Sequence, residues 1–291
     1  MQLGDGDGFV RCACGNRHWG LHGAAGLLLS DPGRGVLLQR RAWWTHHGRT
    51  WALPGGAVRS GESPEEAAAR ETEEETAVPR DAVRVRASAT VDHGTWRYTT
   101  VLATVRERVR AHVANAESTD LRWVPPEEVA GYPLHRDFAA AWPELRAQLD
   151  RELVVVVDAA NVVGSRPDGW WRDRAAAAAR LRDRLGGLVR SGVCASDVAL
   201  PLGPHWSWWP RVVLVVEGHA RGTEPSEHVE VVPAEQDGDT AVVVTARAAR
   251  AARPDDHVVV VTADRGLRER VRGTATEIVG PATLWDLLDR S

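Results

Sequence analysis

Three glutamates, Glu71, Glu74 and Glu75, stand at i, i+3 and i+4 in a segment that also carries Glu62 and Arg70. On a helix this spacing puts all three carboxylates on one face. Like charges so placed repel one another and weaken an isolated helix, so the cluster calls for a compensating cation. A hard divalent ion such as Mg²⁺, bound through carboxylates, water and substrate phosphates, supplies it. The segment has the means to be helical: Ser63, Pro64 and Glu66 form an N-cap, a first-turn proline and a capping box. The bland alternative is a solvated charged helix decorated by the i,i+4 pairs Glu66 with Arg70 and Arg70 with Glu74. The preceding Trp51-Ala52-Leu53-Pro54-Gly55-Gly56 is a short apolar run broken by Pro-Gly-Gly, a strand and loop leading into the helix. That context favours the chemical account.

Counted from Gly56, the chain runs five residues to Glu62, then seven to Arg70-Glu71-Thr72-Glu73-Glu74-Glu75-Thr76-Ala77-Val78. This pattern resembles the signature of the Nudix hydrolases. Two fixed positions depart from it: Thr72 stands where the family has an apolar residue, and Ala77 where it has glycine. An alanine held at positive φ costs about 1 kcal/mol, which bears on the loop more than on the chemistry. The resemblance implies a mixed α/β sandwich that cleaves nucleoside diphosphates linked to another group. It implies Mg²⁺, with Mn²⁺ as the substitute, on Glu71, Glu74 and Glu75. A late fourth carboxylate is expected at Glu117 in preference to Glu107, although a solvated loop glutamate is the commoner role for such a residue. Arg70 and Glu62 would orient the carboxylates, and Glu74, Glu75 or Glu117 would take the proton of the attacking water. Gly55 and Gly56 would lie beside the substrate, as would the loop 41–48. There Trp43 or Trp44 would either stack on a base or anchor packing.

A second set of acids lies in the other half. Leu153 to Val157 is a continuous apolar run ending in Asp158-Ala159-Ala160-Asn161, the pattern of a strand buried on both faces with an acid at its carboxyl end. Asp239 opens the helix after the third strand of this half, and Asp264 follows Thr262-Ala263 at the end of the fourth. In a parallel sheet such residues collect on one edge, so Asp158, Asp239 and Asp264 outline a divalent-metal site. The alternative is that Asp239 and Asp264 are helix N-caps and Asp158 a buried strand-end acid. No Gly-x-Gly-x-x-Gly follows the first strand, which argues against dinucleotide binding. These elements are similar to those of NYN/PIN-type ribonuclease domains. That resemblance implies acids that hold Mg²⁺ or Mn²⁺, Asn161 and Thr262 in support, and RNA as partner. Arg247, Arg250 and Arg253 would line an RNA backbone or simply solvate a helix.

The elements that must position these residues fall into two groups. Over residues 1–150 the chain reads as a Gly- and Asp-rich lead-in (1–20), strands at 24–29 and 35–40 joined by a turn, the signature helix, and strands at 83–91, 96–105 and 121–124. A short helix opening at Pro125-Pro126 and a last helix over 137–151 complete this half. From 151 to 291 strands and helices alternate, which predicts a parallel sheet with helices on both faces. The expected fold class is therefore α/β: a Nudix-like α/β/α sandwich with a mixed sheet, then a Rossmann-like, PIN-like three-layer domain.

Bulk properties limit the partners. The chain has 291 residues and a net charge of −4, which argues against gripping nucleic acid by overall electrostatics. Every one of the 36 basic residues is arginine, so arginine counts carry little information. No apolar run is long enough to span a bilayer and the N-terminus lacks the basic-then-apolar pattern of a signal peptide, so the expected location is the cytoplasm with no membrane partner. Three cysteines, Cys12, Cys14 and Cys194, make no disulfide framework. Cys12-Ala13-Cys14 with His18 and His22 nearby is either a small zinc knot or, because the usual ligand spacing is missing, a pair of free thiols in a surface loop. Two further accounts stay open: RNA cleavage by the second half as the main activity, and a non-catalytic nucleotide sensor. The sequence leaves the oligomeric state and the particular nucleotide open.

Overall fold

The computed structural model describes residues 4–45, 48–167 and 169–290, and the chain divides into two compact units, Met1–Asp150 and Arg151–Ser291. His46 and His47 of the expected substrate loop lie outside the described residues.

The first unit is built on a mixed sheet. Its strands are β1 (Phe9–Arg11), β2 (Arg17–Trp19), β3 (Ala24–Asp31), β4 (Gly35–Arg41), β5 (Trp51–Ala52), β6 (Gly55–Ala57), β7 (Val83–Asp92), β8 (Arg97–Val105) and β9 (Ser118–Val124). Its helices are α1 (Pro64–Thr76) and α2 (Arg136–Gln148). The order β7-β8-β3-β4-β5 is antiparallel except that β3 and β8 run parallel. β4 touches β3 only at Ser30 and Asp31, whereas β6 occupies the other end of β3, at Ala24, Ala25 and Gly26. The two neighbours of one strand edge thus part company, and between them the Leu27 amide of β3 donates to the Pro54 carbonyl.

Period-2 alternation on β3 decides the layers. Ala25, Leu27 and Leu29 point to the face that α1 covers with Ala67 and Ala68. Ser30 points the other way, where the Arg86 guanidinium bridges its hydroxyl and the Leu149 carbonyl just past α2. α2 buries Phe138, Trp142 and Leu145. Helices therefore lie on both sides of the sheet.

Two expectations for this unit need correction. Of the expected loose lead-in over residues 1–20, the described residues 4–20 are ordered as a hairpin: β1 and β2 pair antiparallel, and Gly20 and Leu21 donate back to the carbonyls of Gly8 and Gly6 and fix its return. Pro125-Pro126 does not open an α-helix but precedes a 3₁₀ turn, Val129–Gly131, closed by the Glu128 amide on the Pro125 carbonyl and the Tyr132 amide on the Val129 carbonyl.

The second unit carries a five-stranded, all-parallel sheet in the order β14 (Val229–Pro233), β13 (Arg211–Val216), β10 (Leu153–Asp158), β15 (His257–Val261), β16 (Glu277–Val279). The central β10 is buried along its whole length, as a strand covered on both faces must be. Helices α3 (Ala159–Gly164), α4 (Arg174–Ser191), α5 (Gly238–Ala252), α6 (Arg265–Val271) and α7 (Pro281–Arg290) connect or follow the strands. A short antiparallel pair, β11 (Val193–Cys194) and β12 (Trp206–Trp208), was not legible in the sequence. Among the described residues no helix is long and apolar enough to cross a membrane.

Candidate active site on helix α1

The helix forms as its termini dictate. The Ser63 hydroxyl accepts from the Glu66 amide at 3.1 Å while the Glu66 carboxylate accepts from the Ser63 amide at 2.9 Å, a complete capping box. At the other end Ala77 takes φ 57° and ψ 20°, the left-handed cap that usually goes to glycine, and its amide donates to the Glu73 carbonyl. Thr72, wholly buried at a position meant for an apolar side chain, is tolerated because its hydroxyl donates to the Ala68 carbonyl at 2.7 Å.

The solvated-helix alternative fails on burial. Arg70 and Glu75 are each 3 % exposed, and ionised side chains are not buried without partners or purpose. Arg70 does not make the expected pair with Glu66, which serves the cap. Its guanidinium instead forks onto Glu62 at 2.8 and 2.9 Å, reaches Glu71 at 2.6 Å and donates to the Ala57 carbonyl at 2.9 Å. Glu74 lies 3.6 Å from Arg70 and 3.4 Å from Arg59 at the surface. One buried arginine thus ties the Gly56–Glu62 loop to the acidic side of the helix.

The three acids are in different electrostatic states. Burial pushes the Glu75 carboxyl up to about 8, helped by the negative charges of Glu71 and Glu117 and opposed by the hydrogen bond from the Gly55 amide. Burial also raises Glu71, against the pull of Arg70. Burial would raise Glu62 as well, but the bonds from Arg70 and the Arg59 amide outweigh it and leave that carboxyl below its usual range.

The sequence-predicted residues gather here unevenly. Glu71, Glu74, Glu75, Glu62 and Arg70 share one side of α1 and its preceding loop, and Glu117 is near enough to repel Glu75. Gly55 donates its amide to Glu75 at 2.8 Å. At Gly56 a Cβ would sit 2.5 to 2.8 Å from the carboxylate of Glu71, so the missing side chain is what lets that carboxylate rest on the loop. Trp43 and Trp44 are 71 % and 52 % exposed, which rules out the packing-anchor role for either. Sequence reasoning missed Tyr98 and Arg41, whose charges act on Glu75 or are acted on by it. Burial pushes the Tyr98 phenol up to about 12. Tyr98 fits because Gly26, facing it, has no Cβ. A glycine two residues along from the register partner of an aromatic was the available signal, but it required knowing that β3 and β8 are neighbours.

The donor set suits a hard divalent cation. A buried and a half-buried acid, both with raised pKa values, a third at the surface and a fourth within repelling distance form a cluster of carboxylates that Arg70 alone does not balance. In the second unit the acids also collect at the sheet edge. Burial raises Asp158, and Asp239 and Glu217 add to it; Glu217, at the end of β13, was missed in the sequence. The Thr262 hydroxyl donates to Asp158 at 3.0 Å, and Asn161 accepts from the Ala263 amide at 2.8 Å. Asp158 and Asp264 are N-caps of α3 and α6, but the cap of α5 is Asp237, two residues before Asp239, which frees Asp239 from that duty. Arg250 is no RNA-lining residue: its guanidinium is spent on the carbonyls of Thr274, Pro254 and Asp256.

Comparison with known proteins agrees with the first unit. The family model described as NUDIX domain matches residues 20–145. A Mycobacterium tuberculosis protein provisionally named 8-oxo-dGTP diphosphatase 3 is 48 % identical over 153 residues, covering 49 % of this chain and 70 % of the relative. A Bifidobacterium longum nucleoside triphosphate pyrophosphatase/Nudix hydrolase fusion protein is 42 % identical over 153 residues, 50 % of this chain and 32 % of the fusion. The crystal structure of a Mycobacterium smegmatis Nudix hydrolase, RenU, is similar at 48 % identity and a TM-score of 0.44, over 48 % of this chain and 93 % of that one. The capped helix with its buried Arg70 and raised glutamates, together with this degree of identity, means that the chain belongs to the Nudix hydrolase family, enzymes that split pyrophosphate bonds.

Proposed function

We propose that residues 1–150 are a Nudix hydrolase domain that uses Mg²⁺, or Mn²⁺ in its place, to cleave a nucleoside diphosphate linked to another group. An oxidised purine nucleoside triphosphate is the first substrate to test, as the name of the mycobacterial relative suggests. The observation that carries the reading is the pairing of the buried, raised Glu75 with Glu71 and Glu117 around it. Glu71, Glu74, Glu75 and Glu117 would hold the cation, which when bound neutralises charge on the diphosphate and lowers the pKa of water. Arg70 and Glu62 orient: the fork keeps Glu71 aimed while Gly56 leaves it room. Glu75, buried and raised by that burial beside Glu71 and Glu117, would take the proton from the attacking water. Trp43 and Trp44, exposed beside β4, are placed to stack on a base. The test is hydrolysis by the full chain of a panel of oxidised and ordinary nucleoside triphosphates, nucleotide sugars and dinucleoside polyphosphates with Mg²⁺. Release of a nucleoside monophosphate supports the reading, and no turnover of any member rejects it.

A second reading concerns residues 151–291 as an NYN/PIN-like domain with Asp158, Asp239 and Asp264 as its acids and RNA as its substrate. The bond from Thr262 to Asp158 and the mutual repulsion of Asp158, Asp239 and Glu217 favour it. Cleavage of labelled RNA by the full chain with Mn²⁺, lost in Asp158→Asn, is its test.

A further inference from the structure

We propose that Cys12, Cys14, His18 and His93 form a zinc site that fastens the β1–β2 hairpin to the turn between β7 and β8. The sulfur and ring-nitrogen atoms of these four residues all lie within 4.8 Å of one another. Around a tetrahedral zinc, with bonds of about 2.3 Å to sulfur and about 2.0 Å to nitrogen, neighbouring donors stand roughly 3.3 to 3.8 Å apart. Closing the group around an ion therefore asks for movements on the order of 1 Å. Two thiolates and two imidazoles are a donor set that selects zinc over magnesium or calcium.

The fourth ligand comes from a distant part of the chain. His22, near Cys12 and Cys14 in sequence, is exposed and outside the group, whereas His93, far along the chain, is brought in by the β7–β8 turn. Each ligand is positioned by backbone. The Cys12 amide donates to the Asn16 carbonyl and the Gly15 amide to the Cys12 carbonyl, a tight turn for which Gly15 takes φ 86°. Val10 pairs with His18 across the hairpin, and the Cys14 sulfur is 3.1 Å from His18 Nε2. On the other side the His93 amide donates to the Trp96 carbonyl, closing the turn. The two pieces already touch. The His18 ring stacks on Trp96 at 4.1 Å, the Trp96 indole donates to the Trp19 carbonyl at 3.1 Å, and the Ala13 amide donates to the Thr95 hydroxyl at 3.3 Å.

This hairpin is continuous with the segment that meets the loop ahead of α1, where the Asp5 carboxylate accepts from the Ser60 amide. A metal at Cys12 would thus anchor the strand that leads to that loop.

The test is the zinc content of the full chain purified without chelator, together with the absorption of the cobalt-substituted protein. About one zinc per chain is expected, with a thiolate-to-cobalt charge-transfer band. Cys14→Ser and His93→Ala should each lose the metal and the band, while His22→Ala and Glu74→Gln keep both, the last separating this site from the carboxylates of α1. A wild-type chain that takes up no zinc and gives no thiolate band overturns the proposal. So does a zinc content that survives in His93→Ala but falls in His22→Ala.

Discussion

The Gly55 amide donates to the Glu75 carboxylate at 2.8 Å, joining the loop ahead of α1 to the last turn of that helix. The bond ties two ends of the signature together across the helix, and it is made to an acid that is 3 % exposed. One amide does not offset the loss of solvation, so the carboxyl holds its proton up to about 8.

Glu75→Gln keeps an acceptor for Gly55 and removes the buried charge. Hydrolysis should fall by roughly 100-fold or more, the size of effect of losing a general base or a metal ligand. The same variant, at pH 9 in chelator, should melt several degrees higher than the wild type. A loss of activity accompanied by lower stability at that pH would mean that Glu75 is structural.

The pH dependence follows from the same shift, and its sign is fixed. The folded-state pKa is raised from the ordinary 4.5 of a glutamate to about 8, so the contribution to stability is fully present below about 4.5 and is lost as pH rises through about 8. In chelator the thermal midpoint of wild type minus that of Glu75→Gln should therefore fall across pH 5 to 8. A divalent cation requires the deprotonated carboxylate, so added Mg²⁺ should flatten or reverse the slope, and its apparent affinity should rise with pH. A difference that stays constant over this range would refute the assignment.

Gly56→Ala separates positioning from folding. The new Cβ meets only the far end of the Glu71 side chain, which can swing aside, so the stability cost should stay under about 1 kcal/mol. Glu71 would then leave the Arg70 fork, and kcat should drop by about 10-fold or more while the melting midpoint hardly moves. Equal activity in Gly56→Ala would show that the observed position of Glu71 is irrelevant to the chemistry.

Ala77→Gly tests a departure from the family pattern that the backbone makes explicit. Alanine at φ 57° carries a penalty that glycine does not, so the substitution should stabilise by about 1 kcal/mol. Scanning calorimetry should place the first-unit transition about 2 to 4 °C higher with hydrolysis unchanged. A lower midpoint would mean that contacts of the Ala77 methyl outweigh its backbone strain.

How much of this was legible in the sequence depended on whether the signal was local. The capping box at Ser63 and Glu66, the buried run 153–157 and the positions of most strands followed from neighbouring residues alone. What stayed hidden was set by pairings between distant segments. The resemblance gave Arg70 and Glu62 an orienting role, but that the two bond directly depends on the Glu62 loop folding back onto the helix, of which helical spacing says nothing. Tyr98 reaches Glu75 only because β8 lies parallel to β3, and His93 replaces His22 beside Cys12 only because the β7–β8 turn arrives there. The cap reading of Asp239 stayed open in the sequence because Asp237 and Asp239 both stand at the start of the helix, and only the backbone shows that Asp237 precedes it.

His257 gives the second unit a pH response of the opposite sign. At the start of β15 it is 3 % exposed, edge-on to Trp208 at 5.0 Å, and burial together with the charges of Arg151 and Arg250 pushes it down to about 4. A neutral buried histidine stabilises the fold above the ordinary histidine value of 6.5, and that contribution is lost as pH falls through about 4. The adjoining Asp256, raised by burial, contributes with the contrary slope, so the effect must be read as a difference. Wild type minus His257→Phe, measured as the midpoint of the second-unit transition, should therefore decrease between pH 6.5 and 4. Over the interval from 8 to 4.5 the first-unit difference for Glu75 should increase. Imidazole carbon resonances provide an independent check, with His257 remaining neutral at pH 5. A His257 that titrates near 6.5, or a His257→Phe difference with no slope on the acid side, would mean that the ring is hydrated in solution and that the core of this unit opens at β15.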